Sequence, residues 1–226
     1  MISFDLSSAS SVLCIGAHPD DIEIGCGGTL LQWSDQGRIS ELRWFVGSGD
    51  ARREAEQRAS AAGYFQRFGT GELNIAGFPD NRFPTMYAEI KQALVDLSRR
   101  IKPDVIFTHR LEDRHQDHRL LAELTWNVWR DALILEYEIP KWEGDLGQPQ
   151  VYCEVSAENQ TTKLRWLREH HRSQTEKDWF DDELFSGLMR LRGAECRSHS
   201  RFAEAFTVRK ATVAFGASNQ RLGSTG

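Results

Sequence analysis

The stretch Ser11-Val12-Leu13-Cys14-Ile15-Gly16-Ala17-His18-Pro19-Asp20-Asp21 joins an apolar run to a loop of histidine and carboxylates. Residues 11–16 show no polar alternation, so they predict a strand covered on both faces, as in a parallel sheet. Gly25, Gly27 and Gly28 read as tight-turn residues at the entry to a helix. That helix runs through Thr29-Leu30-Leu31-Gln32-Trp33 and stops near Gly37.

The alternation continues outward from this unit. Residues 41–46 predict a second strand, Gly47-Ser48-Gly49-Asp50 a turn, and residues 52–62 a helix ended by Gly63. A weak strand around Leu73-Asn74-Ile75 precedes a loop holding Gly77, Pro79, Asp80, Asn81 and Pro84. Residues 87–101 form an amphipathic pattern with Ile90, Leu94 and Leu97 on one stripe. A strand at 104–108, a helix at 120–129 and an extended piece at 134–139 follow. Beyond Pro149 come a strand (151–154), two helices (157–171 and 182–192) and an extended segment near 206–208.

Strands alternating with helices predict an α/β sandwich with a mainly parallel sheet. No linker or internal repeat divides the chain, so one domain is expected over residues 1–215, with 216–226 a small, polar tail. The 226 residues, 40% hydrophobic and 27% charged, suffice for one sizeable core. A net charge of −5 argues against a nucleic-acid binder. Met1-Ile2-Ser3-Phe4-Asp5 lacks the basic and apolar regions of a signal peptide, and no apolar run approaches the roughly 20 residues that span a bilayer. The expectation is a cytoplasmic protein with no integral membrane segment. Nothing in the sequence opposes a homo-oligomer. Cys14, Cys26, Cys153 and Cys196 form no CxxC pair and read as reduced thiols.

Ligands of open α/β sheets bind at the carboxyl ends of the strands. Two such loops are rich in chemistry here: one carries His18, Asp20, Asp21 and Glu23, the other His109, Glu112, Asp113, His115, Asp117 and His118. Adjacent carboxylates would repel the pyrophosphate that a dinucleotide-binding turn cradles. Carboxylates beside histidines suit a divalent cation instead. Catalytic zinc takes few protein ligands and keeps a position open for water. His18 and Asp21, three apart on one loop, with His118 from the other, make a two-histidine, one-aspartate set. Asp20, next to Asp21, is placed to take a proton from that water.

Ala-His-Pro-Asp-Asp before a glycine-rich turn, with His115-Gln116-Asp117-His118 about a hundred residues on, resembles the PIG-L/LmbE-like family of metal-dependent N-deacetylases. Weaker matches at Phe78-Pro79-Asp80, Pro103-Asp104-Val105, Ser173-Gln174 and Ala203-Glu204-Ala205-Phe206 extend the resemblance over most of the chain. The resemblance implies a Rossmann-like fold and metal ligands His18, Asp21 and His118. It also implies Asp20 as general base, His115 as oxyanion stabiliser or general acid, and Asp117 as the group orienting the His115 ring. Arg53 would contact substrate, although Arg52 beside it competes for that alignment. The implied cofactor is Zn2+, with Fe2+ or Co2+ compatible with the same donors. The implied substrate is a small N-acetylated sugar or sugar conjugate. The chain departs from the family pattern in having Ile22 after the aspartate pair and Phe202 where a tyrosine is common.

Several residues carry a plainer reading. His109, one residue past a strand, reads as a hydrogen-bonded structural histidine. His170 and His171 read as complements to a helix C-terminus. Asp80 follows a proline, where local turn bonds compete with a substrate contact. Trp126 and Trp129 fit a helix core stripe, whereas Trp142 and Trp179 suit either a carbohydrate site or surface packing. Two further activities share the metal site: an amidase acting on a thiol conjugate or other N-acyl compound, and a non-catalytic metal-containing carbohydrate-binding protein.

Overall fold

β1 (Ser11–Gly16) runs through the middle of a seven-stranded sheet in the computed structural model of the chain, which describes residues 5–212. Val12 and Cys14 join one apolar cluster, and Leu13 and Ile15 join another on the opposite face. This two-sided burial is the physical reason the run contains no polar alternation.

The chain continues through α1 (Asp21–Gln36), β2 (Glu41–Ser48), α2 (Ala51–Phe65) and β3 (Thr70–Phe78). A 3-10 turn (Phe83–Met86), α3 (Tyr87–Arg100), β4 (Val105–His109), α4 (Gln116–Val128) and β5 (Leu133–Tyr137) follow. The last described elements are β6 (Val151–Val155), α5 (Ala157–His170), α6 (Asp182–Cys196) and β7 (Phe202–Thr207). The sheet order is β3-β2-β1-β4-β5-β7-β6. The first five strands in that order are mutually parallel, and β7 lies antiparallel between β5 and β6. Leu30 of α1, Tyr64 of α2, Leu167 of α5 and Phe185 of α6 fill the cluster on one face. Ile90 and Leu94 of α3 and Leu121 of α4 fill the other. The result is the three-layer, Rossmann-like α/β architecture expected from the sequence.

The chain leaves β1 toward β2 and β3, then returns to place β4 on the other side of β1. At this reversal the loops after β1 and β4 diverge and open a crevice. His18 follows the first of these strands and His109 ends the second.

α1, α2 and α4 begin earlier than expected, whereas α3, α5 and α6 begin where the sequence placed them. α1 starts at Asp21, so Gly25, Gly27 and Gly28 lie inside it rather than in a turn before it. They admit close neighbours. A Cβ on Gly25 would overlap the Tyr137 ring, whose hydroxyl donates to Ile15 O at 2.7 Å. Glu204 accepts the N–H groups of Gly28 and Thr29 at 2.8 and 2.7 Å. Lys163 donates to Ile24 O and to Glu204, both at 2.6 Å. A buried ion pair thus grips the middle of α1, and Gly28 leaves room for it. α2 runs past Gly63, where the Trp166 ring packs 3.4 Å from the position of a Cβ. β3 and β7 are longer than the sequence patterns suggest. The tail expected at 216–226 lies outside the described residues.

Candidate metal centre and catalytic site

His18 is presented by a loop locked at both ends. Its own N–H donates to Asp21 Oδ2 at 2.7 Å, and Ala17 O accepts from Ser48 N at 2.8 Å. Asp21 occupies the first turn of α1, where the helix dipole favours a carboxylate. His118 lies in the first turn of α4 and points back at the same spot.

Three side chains converge there. His18 Nδ1 lies 3.1 Å from His118 Nε2 and 3.4 Å from Asp21 Oδ2, and His118 Nε2 lies 3.5 Å from Asp21 Oδ1. A tetrahedral ion with bonds of about 2.0–2.1 Å sets its donors about 3.3 Å apart. Two nitrogens and a carboxylate at this spacing are therefore able to hold a divalent metal. His118, Asp21 and His109 form a second overlapping set, as do His18, His115 and His118.

The protonation states of His118 and Asp21 suit ligation. Burial and the neighbouring His109 push His118 down to about 3, so its ring is neutral. Burial opposes ionisation of Asp21, but His118, His109 and His18 outweigh it and hold its carboxyl well below the usual range. Burial also opposes charge on His18, but hydrogen bonds that its ring donates to Asp117, Asp21 and Asp80 outweigh burial and raise it well above its ordinary value. That concentration of negative charge around one imidazole is what a bound cation would neutralise.

Asp113 completes the support of His118, its Oδ2 lying 3.0 Å from Nδ1. Its other oxygen accepts the His115 N–H at 2.8 Å and pairs with Lys141 at 3.0 Å. Lys141 belongs to the segment after β5, which the sequence assigned to no motif. Asp80 lies 2.8 Å from His18 Nε2, and so engages the site rather than making only local turn bonds. Burial resists its ionisation, but the His18 hydrogen bond is stronger and lowers its pKa to about 2.

Asp20 adopts a left-handed backbone at φ 101°, which costs a non-glycine residue about 1–3 kcal/mol. Its Oδ1 lies 3.4 Å from Arg53 Nη2, while its buried Oδ2 has no partner among the described residues. Burial raises its pKa to about 6 against the opposing charge of Arg53. Arg53 also donates to Pro19 O at 2.6 Å. Arg52, by contrast, points outward toward Glu56, so Arg53 is the arginine at the site.

His115 caps α4, and its Nδ1 accepts from Asp117 N at 3.3 Å. That bond leaves the proton on Nε2, giving a donor. Burial and the nearby His18 lower its pKa, which keeps the ring neutral. The Asp117 carboxylate is not on the His115 ring: it accepts from Asn81 N at 2.7 Å and Phe83 N at 3.1 Å, and approaches His18 Nε2 at 3.3 Å. The backbone of Asp117, not its side chain, orients His115.

His109 is a buried, hydrogen-bonded histidine as the sequence suggested, and it also lies at the site. It stacks on His118 with ring centroids 3.9 Å apart, accepts from Ala17 N at 3.0 Å and lies 3.2 Å from Asp21 Oδ2. His171 turns inward to Glu23 at 3.0 Å instead of serving only the end of α5. Trp126 and Trp129 pack in the core as expected, whereas Trp142 is 69% exposed and meets Trp179 edge-on at 6.1 Å.

Residues 13–129, a little over half of the chain, match the family PIG-L: GlcNAc-PI de-N-acetylase. "Uncharacterized deacetylase YaiS" of Escherichia coli (strain K12) is 31% identical over 176 residues, covering 73% of this chain and 94% of that protein. The chain belongs to the PIG-L family of deacetylases.

The fold agrees with membership in the PIG-L family. The N,N'-diacetylchitobiose deacetylase from Pyrococcus horikoshii, complexed with an inhibitor, superposes with a TM-score of 0.72 at 23% identity. The match covers 91% of this chain and 87% of that one. GalB, the 4-carboxy-2-hydroxymuconate hydratase from Pseudomonas putida KT2440, superposes with a TM-score of 0.71 at 16% identity, over 92% and 100% of the two chains. At these identities both matches speak to the fold, and the second is a hydratase. Chemistry therefore has to be argued from the site. Among the described residues no helix is long and apolar enough to cross a membrane.

Proposed function

We propose that the protein removes an N-acetyl group from an amino sugar or sugar conjugate by hydrolysis. The observation that carries this reading is the meeting of His18 Nδ1, Asp21 and His118 Nε2 beside Asp20, whose buried Oδ2 has no partner. Zinc fits the donor set best, and Fe2+ or Co2+ would accept the same atoms. A divalent ion held there supplies Lewis acidity to the acyl carbonyl and lowers the pKa of a coordinated water from about 15.7 to about 7.

The chain's own residues divide the remaining work. Asp20 is the general base: its free oxygen accepts the proton of the attacking water. His115, neutral and protonated on Nε2, donates a hydrogen bond to the oxygen that becomes negative as the carbonyl carbon turns tetrahedral. The proton then passes to the leaving nitrogen, and amine and acetate depart. Arg53 holds Asp20 through the loop and presents a cation to substrate hydroxyls at the rim. The small-molecule reading draws support from the diacetylchitobiose deacetylase, which shares the fold.

Acetate and free amine are to be assayed with zinc-loaded protein on N-acetylated monosaccharides, disaccharides, sugar nucleotides and thiol glycosides. Equal release of acetate and amine from at least one sugar substrate is expected. Release only from N-acyl compounds lacking a sugar would replace this reading with the wider amidase one. Binding of sugar without product would replace it with a carbohydrate-binding role.

A further inference from the structure

The acid-base residue of the proposed reaction sits in a left-handed backbone that its own sequence does not favour, since aspartate at φ 101° is strained. Something must hold it. Among the described residues the Asp20 N–H donates to Gln57 Oε1, 3.0 Å away on α2. Gln57 is fully buried, and its amide nitrogen donates to Glu23 Oε1 at 2.8 Å. That bond fixes which end of the Gln57 amide faces Asp20, because a carboxylate can only accept from the NH2 group. Glu23 is fixed in turn by Ser60 Oγ at 2.6 Å and by His171 Nε2 at 3.0 Å. All four side chains lie away from solvent, on α1, α2 and the end of α5.

We infer that Gln57, oriented by Glu23 with Ser60 and His171, is a positioning residue that holds Asp20 in the conformation its role as base requires. The inference rests on the proposed function, since it assigns Gln57 a task performed through Asp20. None of the four residues is among the donors that surround the metal position, so the chain of contacts acts on the base and not on the ion. It also gives a purpose to Glu23 and His171, two buried charged groups outside the ligand set. The Ser173-Gln174 match lies next to this network: Ser173 Oγ donates to Glu56 at 2.5 Å, pinning the segment that carries His171 onto α2.

The test compares Gln57→Leu, Ser60→Ala, Asp20→Asn and the Gln57→Leu/Asp20→Asn double variant, each loaded with zinc. Metal content, kcat and KM for acetate release are the readouts. Misplacement of a catalytic group by about 1 Å costs on the order of 100-fold in rate. Gln57→Leu is expected to lower kcat by about 10- to 100-fold with KM and zinc stoichiometry unchanged. Ser60→Ala should lower kcat in the same direction by a smaller factor, and carries the test if Gln57→Leu does not fold. In the Asp20→Asn background, Gln57→Leu should cost nothing further, because its effect passes through Asp20.

Full kcat in both Gln57→Leu and Ser60→Ala would overturn the inference while leaving the proposed function standing, provided Asp20→Asn is inactive. Additive losses in the double variant, or loss of zinc from Gln57→Leu, would also overturn it by showing a general structural role. A wild-type protein that releases no acetate, or an Asp20→Asn variant with full activity, would instead strike the proposed function itself.

Discussion

Oδ2 of Asp113 lies 3.0 Å from Nδ1 of His118, across the ring from the Nε2 that faces His18. The contact fixes Nδ1 as the donor and leaves the Nε2 lone pair free for a metal. Lys141 and the His115 N–H hold the other oxygen of the same carboxylate. Asp113 thereby ties His118, the proposed ligand, and His115, the proposed oxyanion donor, to one anchor.

Replacing that anchor should weaken the metal site without emptying the fold. Asp113→Asn is expected to lower zinc affinity by about 10- to 100-fold, the usual cost of losing a carboxylate behind a ligating histidine. Competition against a chromophoric chelator measures it. Unchanged affinity would show that His118 needs no such support.

Asp20 is the complementary case: it lies beside the proposed ligands, and its buried Oδ2 has no partner among the described residues. Asp20→Asn should retain one zinc per chain and lose about 100- to 10,000-fold in kcat, the range attributed to a general base. Metal analysis and acetate release on the same sample separate the two effects. Loss of zinc in this variant would make Asp20 a ligand.

The first turns of α1 depend on the absence of a side chain at Gly25. A methyl group there overlaps the Tyr137 ring, which is pinned by its hydroxyl bond to Ile15 O. Gly25→Ala would gain about 1 kcal/mol of helix propensity. Overpacking of about 1–3 kcal/mol or more outweighs that gain. A lower urea midpoint is the expected outcome, and an unchanged or higher midpoint would show that the Tyr137 ring can move aside.

His171 links stability to pH. Burial opposes its charge, but Glu23 at 3.0 Å outweighs burial, with Asp20 and Glu56 adding the same sign, so its pKa is raised above the ordinary value. A folded-state pKa above the unfolded one stabilises fully below about pH 6.5 and loses that contribution as pH rises through the folded value. The stability difference between metal-loaded wild type and His171→Gln should therefore be largest in mild acid and shrink as pH rises. Urea unfolding of the two proteins across this change of pH checks it, and a difference that grows with pH would contradict the assignment.

The sheet was legible in the sequence because its central strands are buried on both faces, which leaves uninterrupted apolar runs such as residues 11–16 and 105–108. The starts of α1 and α4 were not. Gly25, Gly27 and Gly28 look like turn residues when read locally, and only the Tyr137 ring and the Glu204–Lys163 pair, far away in sequence, explain them. The same limit applies at the site. His18, Asp21 and His118 fall in two dense motifs and stood out, whereas Asp113, Lys141, Gln57 and His171 gain meaning only through contacts made by folding. His109 was visible, one residue past a strand, but its stacking on His118 was not. Asp117 showed the opposite failure: the family resemblance implied a partner for the His115 ring, and its carboxylate went instead to the backbone of the loop after β3.

The central claim is that water adds to an acyl carbonyl at the centre formed by His18, Asp21 and His118, with Asp20 as base. The most direct measurement is turnover of an N-acetylated amino sugar by the zinc-loaded protein in 18O-enriched water, with mass analysis of both products. One solvent oxygen per acetate and an equal amount of unlabelled free amine is the predicted result. A product that retains its acetyl group, or acetate that carries no solvent oxygen, would contradict it.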